Sequence, residues 1–157
     1  MNIDYELLIS ELKVLLSDSP TWITSLSNAS ALLFERLENI NWAGFYLVKD
    51  NQLVLGPFQG KVACTVIPVG KGVCGTAVKL DSTQLVDDVH TFKGHIACDS
   101  ASNSEIVIPI HVDNKVWGVL DIDSPMLANF SDEDRIGLEE FVSVLEKSLS
   151  CYKLLNI

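Results

Sequence analysis

Basic residues are scarce in this chain of 157 residues: 11 Lys and Arg stand against 21 Asp and Glu, a formal net charge of −10. That balance excludes a nucleic-acid partner, because polyanion binding draws on a basic footprint that displaces counterions. The few cations are scattered along the chain. An anionic membrane surface is disfavoured for the same reason. Long apolar runs are missing too. No stretch approaches the ~18 residues needed to span a bilayer. The opening MNIDYELLIS carries Asp4 and Glu6 and no basic n-region, so no secretory signal is read there. The expectation is a cytoplasmic protein without a membrane role.

Metal and nucleotide motifs are equally thin. Cys64, Cys74, Cys98, His90 and His95 are numerous enough for a zinc site, but none of their spacings is CxxC or HxxxH. The segment GKGVCG at 70–75 lacks the Walker spacing. No cofactor and no metal are therefore expected. Repeats, low-complexity tracts and linkers are absent, and the length suits one domain. Residues 1–157 are read as a single domain. An acidic chain can still bind a small zwitterion, since local charges decide that.

What is present reads as alternating layers. Tyr5, Leu7, Leu8, Leu12, Leu15 and Leu16 form a helical stripe. Ser19 before Pro20 predicts an N-cap with proline at the first helical position, followed by Ile23, Leu26, Ala29, Leu33, Phe34 and Leu37 at helical spacing. Trp42 to Val48 is aromatic and β-branched, hence a strand; KDNQ turns it back into LVLGPF, a hairpin. Short strands are expected around Thr65–Ile67 and Gln84–Val86, with a short helix over 73–80 carrying Cys74 at its start. SEIVIPIHV and KVWGVLDID form the clearest hairpin, joined at Asp113-Asn114. Ser131 with Asp134 three residues on is a capping box for a last helix whose apolar face holds Phe141, Val144, Leu145 and Leu149. The fold class is α+β: a mainly antiparallel central sheet with N- and C-terminal helices packed on it. Asp87 to Asn103 is a long loop rich in small polar residues, and loops of that length tend to be functional.

Several of these residues can carry chemistry. Cys98 lies in that loop with His95 and Lys93 close in sequence; cationic neighbours lower a thiol's pKa and make it nucleophilic. A small buried hydrophobe is the alternative use of a free cysteine. Asp121 and Asp123 are two apart on a strand and share a face. The hairpin brings Glu105 of the partner strand towards them. Acids sharing a desolvated patch raise one another's pKa, and one can then serve as a general acid. Strand-ending aspartates in solvent are the other option. Trp42 and Tyr46 share a face as well, either as core or as an aromatic wall for an S-methyl group.

The stretches NWAGFYLV, LVLGPFQGKVACTVIPVGKGVCGTAV, DDVHTFKGHIACDSASNSEIVIPI and WGVLDIDSP, between about Asn41 and Phe141, together resemble the free methionine-(R)-sulfoxide reductases, a GAF-domain family. The resemblance implies a GAF-like domain with the long loop over a ligand pocket. It implies that Cys98 attacks the sulfoxide sulfur and becomes a sulfenic acid. Cys64 matches the resolving cysteine, and Cys74 a third cysteine with a secondary role in disulfide exchange. Glu105, Asp121 and Asp123 match the acids of the substrate site, Trp42 and Tyr46 its aromatic lining. Thioredoxin is the implied reductant, free methionine-(R)-sulfoxide the implied substrate, and a homodimer through the terminal helices is compatible with the apolar stripes. GAF domains also serve as non-catalytic small-molecule sensors, which is the rival reading. Cys151 lies outside the motifs.

Overall fold

The computed structural model describes residues 1–152. Its elements run α1 (Tyr5–Ser17), α2 (Trp22–Arg36), β1 (Trp42–Lys49), β2 (Gln52–Gly60), β3 (Val66–Pro68), α3 (Gly72–Leu80), β4 (Gln84–Val86), a 3₁₀ turn (Val89–Thr91), β5 (Ser104–Val112), β6 (Lys115–Ser124) and α4 (Asp132–Leu149). The six strands form one sheet in the order β3-β2-β1-β6-β5-β4. Every pairing is antiparallel. No helix among the described residues is long and apolar enough to cross a membrane.

Turn chemistry sets the two hairpins. Asp50 and Asn51 join β1 to β2, and Asp113 and Asn114 join β5 to β6, all four at positive φ. Consecutive left-handed residues match the right-handed twist of the strands, and Asp and Asn tolerate them. The capping box of α4 is present: the Ser131 hydroxyl accepts from the Asp134 N–H, and the Asp134 carboxylate accepts from the Ser131 N–H.

The start of α2 departs from expectation. Its N-cap is Thr21, whose hydroxyl accepts from Thr24 N–H at 3.2 Å, so Pro20 lies outside the helix. The Ser19 hydroxyl is engaged elsewhere, 2.7 Å from Ser25 Oγ. Helix rotation also corrects part of the apolar stripes. Leu8, Ile9 and Leu12 are buried, whereas Leu7 and Ile23 face outward, more than half exposed. Steps of ~100° carry them off the buried line.

Strand periodicity sorts side chains between two cores. Ala43, Phe45 and Leu47 of β1, Ile106, Ile108 and Ile110 of β5, and Leu120 and Ile122 of β6 pack under α1, α2 and α4. Trp42, Tyr46, Val107 and Val119 project from the opposite face, where α3 and the long loop cover them. The helical side is tight. A methyl at Gly137 of α4 would come within 2.3 Å of the Tyr5 ring, whose hydroxyl donates to Asp134 at 2.8 Å. Gly137→Ala is expected to destabilise the chain by roughly 1–3 kcal/mol, read as a drop of several degrees in a thermal melt.

Candidate active site

Register assembles the acids and aromatics on the sheet face that carries α3. Trp42 of β1 lies opposite Asp123 of β6, which lies opposite Glu105 of β5. One step along the sheet, Gly44 and Val107 flank Asp121. Tyr46 follows, stacked on Trp42 with centroids 5.8 Å apart, and Phe58 is stacked on Trp42 as well, at 5.1 Å. Gly44 makes this possible: a Cβ there would meet Phe58 Cβ at 2.3 Å and Trp42 Cη2 at 2.8 Å.

Two loops complete the walls. The Tyr46 hydroxyl donates to the Cys64 carbonyl (2.9 Å), and Trp42 Nε1 donates to the Lys61 carbonyl (3.1 Å). The aromatic wall thereby pins the loop that bears Cys64. On the other side, Asn41 Nδ2 donates to Asp99 Oδ2 (3.0 Å) and to Ser102 Oγ (3.1 Å), while Ser102 Oγ donates to Asp123 Oδ2 (2.9 Å). This chain ties the Cys98 loop to the acid cluster. Gly72, at φ +62°, donates its N–H to the Gly94 carbonyl at 3.2 Å and brings the start of α3 against Ile96.

A small cavity lies between these walls, with about 40 Å³ of space for the centres of water-sized molecules. Cys98, Cys74, Glu105, Asp121, Asp123, Trp42 and Tyr46 all line it, with His95, Asp99, Ser102 and Lys71. Cys64 does not line it but is disulfide-bonded to Cys98, with Cα atoms 5.4 Å apart. Cys74, in the first turn of α3, is buried and free; Cys151 is free and exposed.

The electrostatics follow from burial. Glu105 and Asp123 are pushed well above the usual carboxylate range, first by desolvation and then by the charge of Asp121. Desolvation raises Asp121 too, but hydrogen bonds from Glu105, Cys74 and Asp123 oppose the rise. Asp121 is thus the member that ionises first, and its neighbours hold the protons. While every carboxyl is ionised, the buried Oδ1 atoms of Asp121 and Asp123 find no donor; protons shared between carboxyls supply one. Burial and Asp121 push the Cys74 thiol up, which makes it a donor and not a thiolate. His95 is lowered, chiefly by burial. It therefore favours neutral imidazole, while Lys93 points to solvent.

The same geometry bears on metal binding. Cys74, Glu105 and Asp121 each bring one ligand atom within 4.8 Å of the others. This trio shares only Cys74 with the five Cys and His residues weighed as a zinc site in the sequence, two of which the disulfide occupies.

Four residues at the site were not singled out in the sequence for these roles. Asn41 and Ser102 form the bridge to Asp123, Gly44 makes room for the stack, and Lys71 stands at the cavity wall. Only Asn41 carries a local signal, as a polar residue directly before a strand whose first six residues are all buried.

Known proteins resemble this chain in sequence and in fold. The GAF domain family matches residues 24–149. The free methionine-R-sulfoxide reductase of Escherichia coli is 57% identical over 89% of this chain and 85% of its own length. The structure of fRMsr of Staphylococcus aureus in its reduced form superposes with a TM-score of 0.92 at 55% identity, covering 94% of this chain and 96% of that one. Its complex with substrate gives 0.90 at 54% identity, over 95% of this chain and 97% of that one. With this identity along nearly the whole chain and the same fold, the chain belongs to the GAF-domain free methionine-R-sulfoxide reductases.

Proposed function

We propose that this chain, acting over residues 1–157 as one GAF domain, reduces free L-methionine-(R)-sulfoxide to methionine through a cysteine sulfenic acid and a disulfide. The observation that carries the reading is the placement of Cys98. Its side chain lines an acid-walled cavity and is bonded to a second cysteine outside that cavity.

In the reduced protein the Cys98 thiolate attacks the sulfoxide sulfur, and a proton from the Glu105–Asp121–Asp123 cluster passes to the sulfoxide oxygen. The sulfur–oxygen bond breaks, methionine leaves, and Cys98 carries the hydroxyl as a sulfenic acid. The Cys64 thiol then attacks that sulfur, water departs, and the disulfide forms. A thioredoxin dithiol reduces it and closes the cycle. Cys74 donates to Asp121 and keeps a reserve role in exchange.

Negative neighbours disfavour a thiolate, so the acid wall calls for relief. Protons on Glu105 and Asp123 supply part of it, and the substrate's ammonium on Asp121 supplies the rest. Trp42 and Tyr46 offer the S-methyl group a stacked aromatic wall, and Lys71 offers the carboxylate a cation. A ligand read at both ends must be the free amino acid, because a peptide bond would leave buried groups unpaired.

The test is NADPH oxidation in a thioredoxin and thioredoxin reductase assay with the (R) epimer, the (S) epimer and N-acetyl methionine sulfoxide. Turnover of the free (R) epimer alone is expected. Comparable rates with the N-acetyl compound would rule out recognition of the free amino acid. Tight ligand binding with no turnover of either epimer would favour a sensor.

A further inference from the structure

Acids are missing from the sequence around Cys64, although Asp99 directly follows its disulfide partner Cys98. Of the chain's 21 Asp and Glu, none falls between Asn51 and Leu80, a stretch that holds Lys61, Lys71 and Lys79 as well as Cys64. The loop leading to Cys98 adds Lys93 and has no acid from Val89 to Cys98. Lys61, Lys71 and Lys93 are all exposed. Apolar side chains stand beside them in solvent. Val62 is 89% exposed, Val66 is 46% exposed and Ile96 is 37% exposed. Val62 and Val66 flank Cys64 by two residues on either side, Ile96 precedes Cys98 by two, and the disulfide holds the two loops together. Nothing in the cavity chemistry uses Val62, Val66, Lys61 or Lys93, and none of them lines the cavity.

From this juxtaposition we propose that the Lys61–Val62–Val66–Lys93 surface is the docking site of a dithiol protein, and that the incoming thiolate attacks Sγ of Cys64. The inference deepens the reductase reading and rests on it for the partner's identity as thioredoxin. Thiol–disulfide exchange proceeds through a thiolate, an anion. An anion approaching a chain of net charge −10 meets repulsion over most of the surface, and the acid-free lysine border is where that repulsion is offset. The exposed valines suit a partner whose nucleophilic thiol sits in an apolar face, as interface cores are depleted of charge.

The point of attack follows from the surroundings of the two sulfurs. Both cysteines are partly buried, but Cys98 lines the cavity, whereas Cys64 does not and stands between the exposed Val62 and Val66; attack is therefore assigned to Cys64. A new bond forms between the partner's sulfur and Cys64, and the Cys64–Cys98 bond breaks. Cys98 leaves as a thiolate into the cavity and takes up a proton. The partner's second thiolate then attacks the mixed disulfide and releases Cys64, so the partner ends oxidised and both cysteines end reduced.

The test needs no sulfoxide. Purified oxidised protein is mixed with reduced thioredoxin, dithiothreitol or glutathione, and the loss of the Cys64–Cys98 disulfide is followed by thiol labelling. Lys61→Glu/Lys93→Glu and, separately, Val62→Asp are expected to slow reduction by thioredoxin about tenfold or more. The dithiothreitol rate should stay within twofold, and rising salt should shrink the gap for the lysine pair. A thioredoxin lacking its resolving cysteine should be trapped on Cys64 by mass spectrometry. Equal losses with thioredoxin and dithiothreitol, no loss with either, or trapping on Cys98 would overturn the proposal. A loss with glutathione matching that with thioredoxin would assign the surface to small anionic thiols and overturn docking by a protein. Failure of the reductase reading shows separately, as absent sulfoxide turnover despite a reducible disulfide.

Discussion

Cys98→Ser is expected to abolish sulfoxide turnover, with a loss on the order of 10⁴-fold or more, as when a covalent nucleophile is removed. Serine keeps the shape but ionises far too weakly to attack sulfur at neutral pH. Cys64→Ser should behave differently. The Cys98 nucleophile remains, so each chain releases one methionine and then stops with Cys98 as a sulfenic acid. Rapid-quench measurement of methionine separates the two variants: no burst for Cys98→Ser, one equivalent per chain for Cys64→Ser. Labelling with a sulfenic-acid probe should mark Cys98 in the second variant, and dithiothreitol should restore its cycling. A full multiple-turnover rate with thioredoxin in Cys64→Ser would remove Cys64 from the pathway. Cys74 is a poor substitute on physical grounds, because it is buried and its thiol is held protonated against Asp121.

Glu105→Gln should lower kcat by roughly 10²–10³-fold, the usual scale for losing a positioned acid, while making the fold more stable. Gln keeps the shape and a donor but has no proton to transfer. The gain in stability has a definite sign. Glu105 is raised well above its ordinary value by burial and by Asp121, so the folded chain retains a proton that the unfolded chain has released above about pH 4. Its stabilising contribution is complete below the unfolded pKa and is lost as pH rises through the folded one. Removing the carboxyl should therefore raise the melting temperature by several degrees at pH 8, at roughly 2–4 °C per kcal/mol for a chain of this size, with little gain near pH 4. For the unaltered chain, kcat should decline as pH rises through the raised values of the acid cluster. A stabilised variant with undiminished kcat would take Glu105 out of proton transfer; an unchanged melting profile would deny its raised pKa.

Local chemistry was legible in the sequence, while long-range pairing was not. The β5–β6 hairpin could be read because Asp113-Asn114 accepts positive φ and its flanks alternate, and its register sets Glu105 opposite Asp123. The capping box at Ser131 was equally plain. The placement of β1 between β2 and β6 could not be derived from local pattern, because antiparallel neighbours distant in sequence leave no periodic trace. That placement brings Trp42 beside Asp123 and so joins the aromatic wall to the acids. Gly44 carries no signal of its own in the sequence, and its value shows only once Phe58 is across from it. The cap of α2 slipped from Ser19 to Thr21 because Ser19 hydrogen-bonds to a neighbouring helix residue instead. The pairing of Cys64 with Cys98 came from family likeness, since the residues alone left four thiols without an order.

The crosslink between Cys64 and Cys98 spans a sequence separation of 34 residues. Closing a loop of that size removes roughly 3–4 kcal/mol of freedom from the unfolded chain on the chain-entropy account. A thermodynamic cycle makes this debt mutual: whatever the bond contributes to folding, folding contributes to the bond. The pair in the folded chain is then more reducing than the same pair unfolded, by about 65–85 mV at ~30 mV per 1.4 kcal/mol. Two consequences follow for the proposed cycle. The species that meets substrate is the looser one, so capture and closure start from the less stable half of the cycle. The species that waits for electrons is the firmer one, and returning it to work calls for a donor of low potential, not merely an abundant thiol.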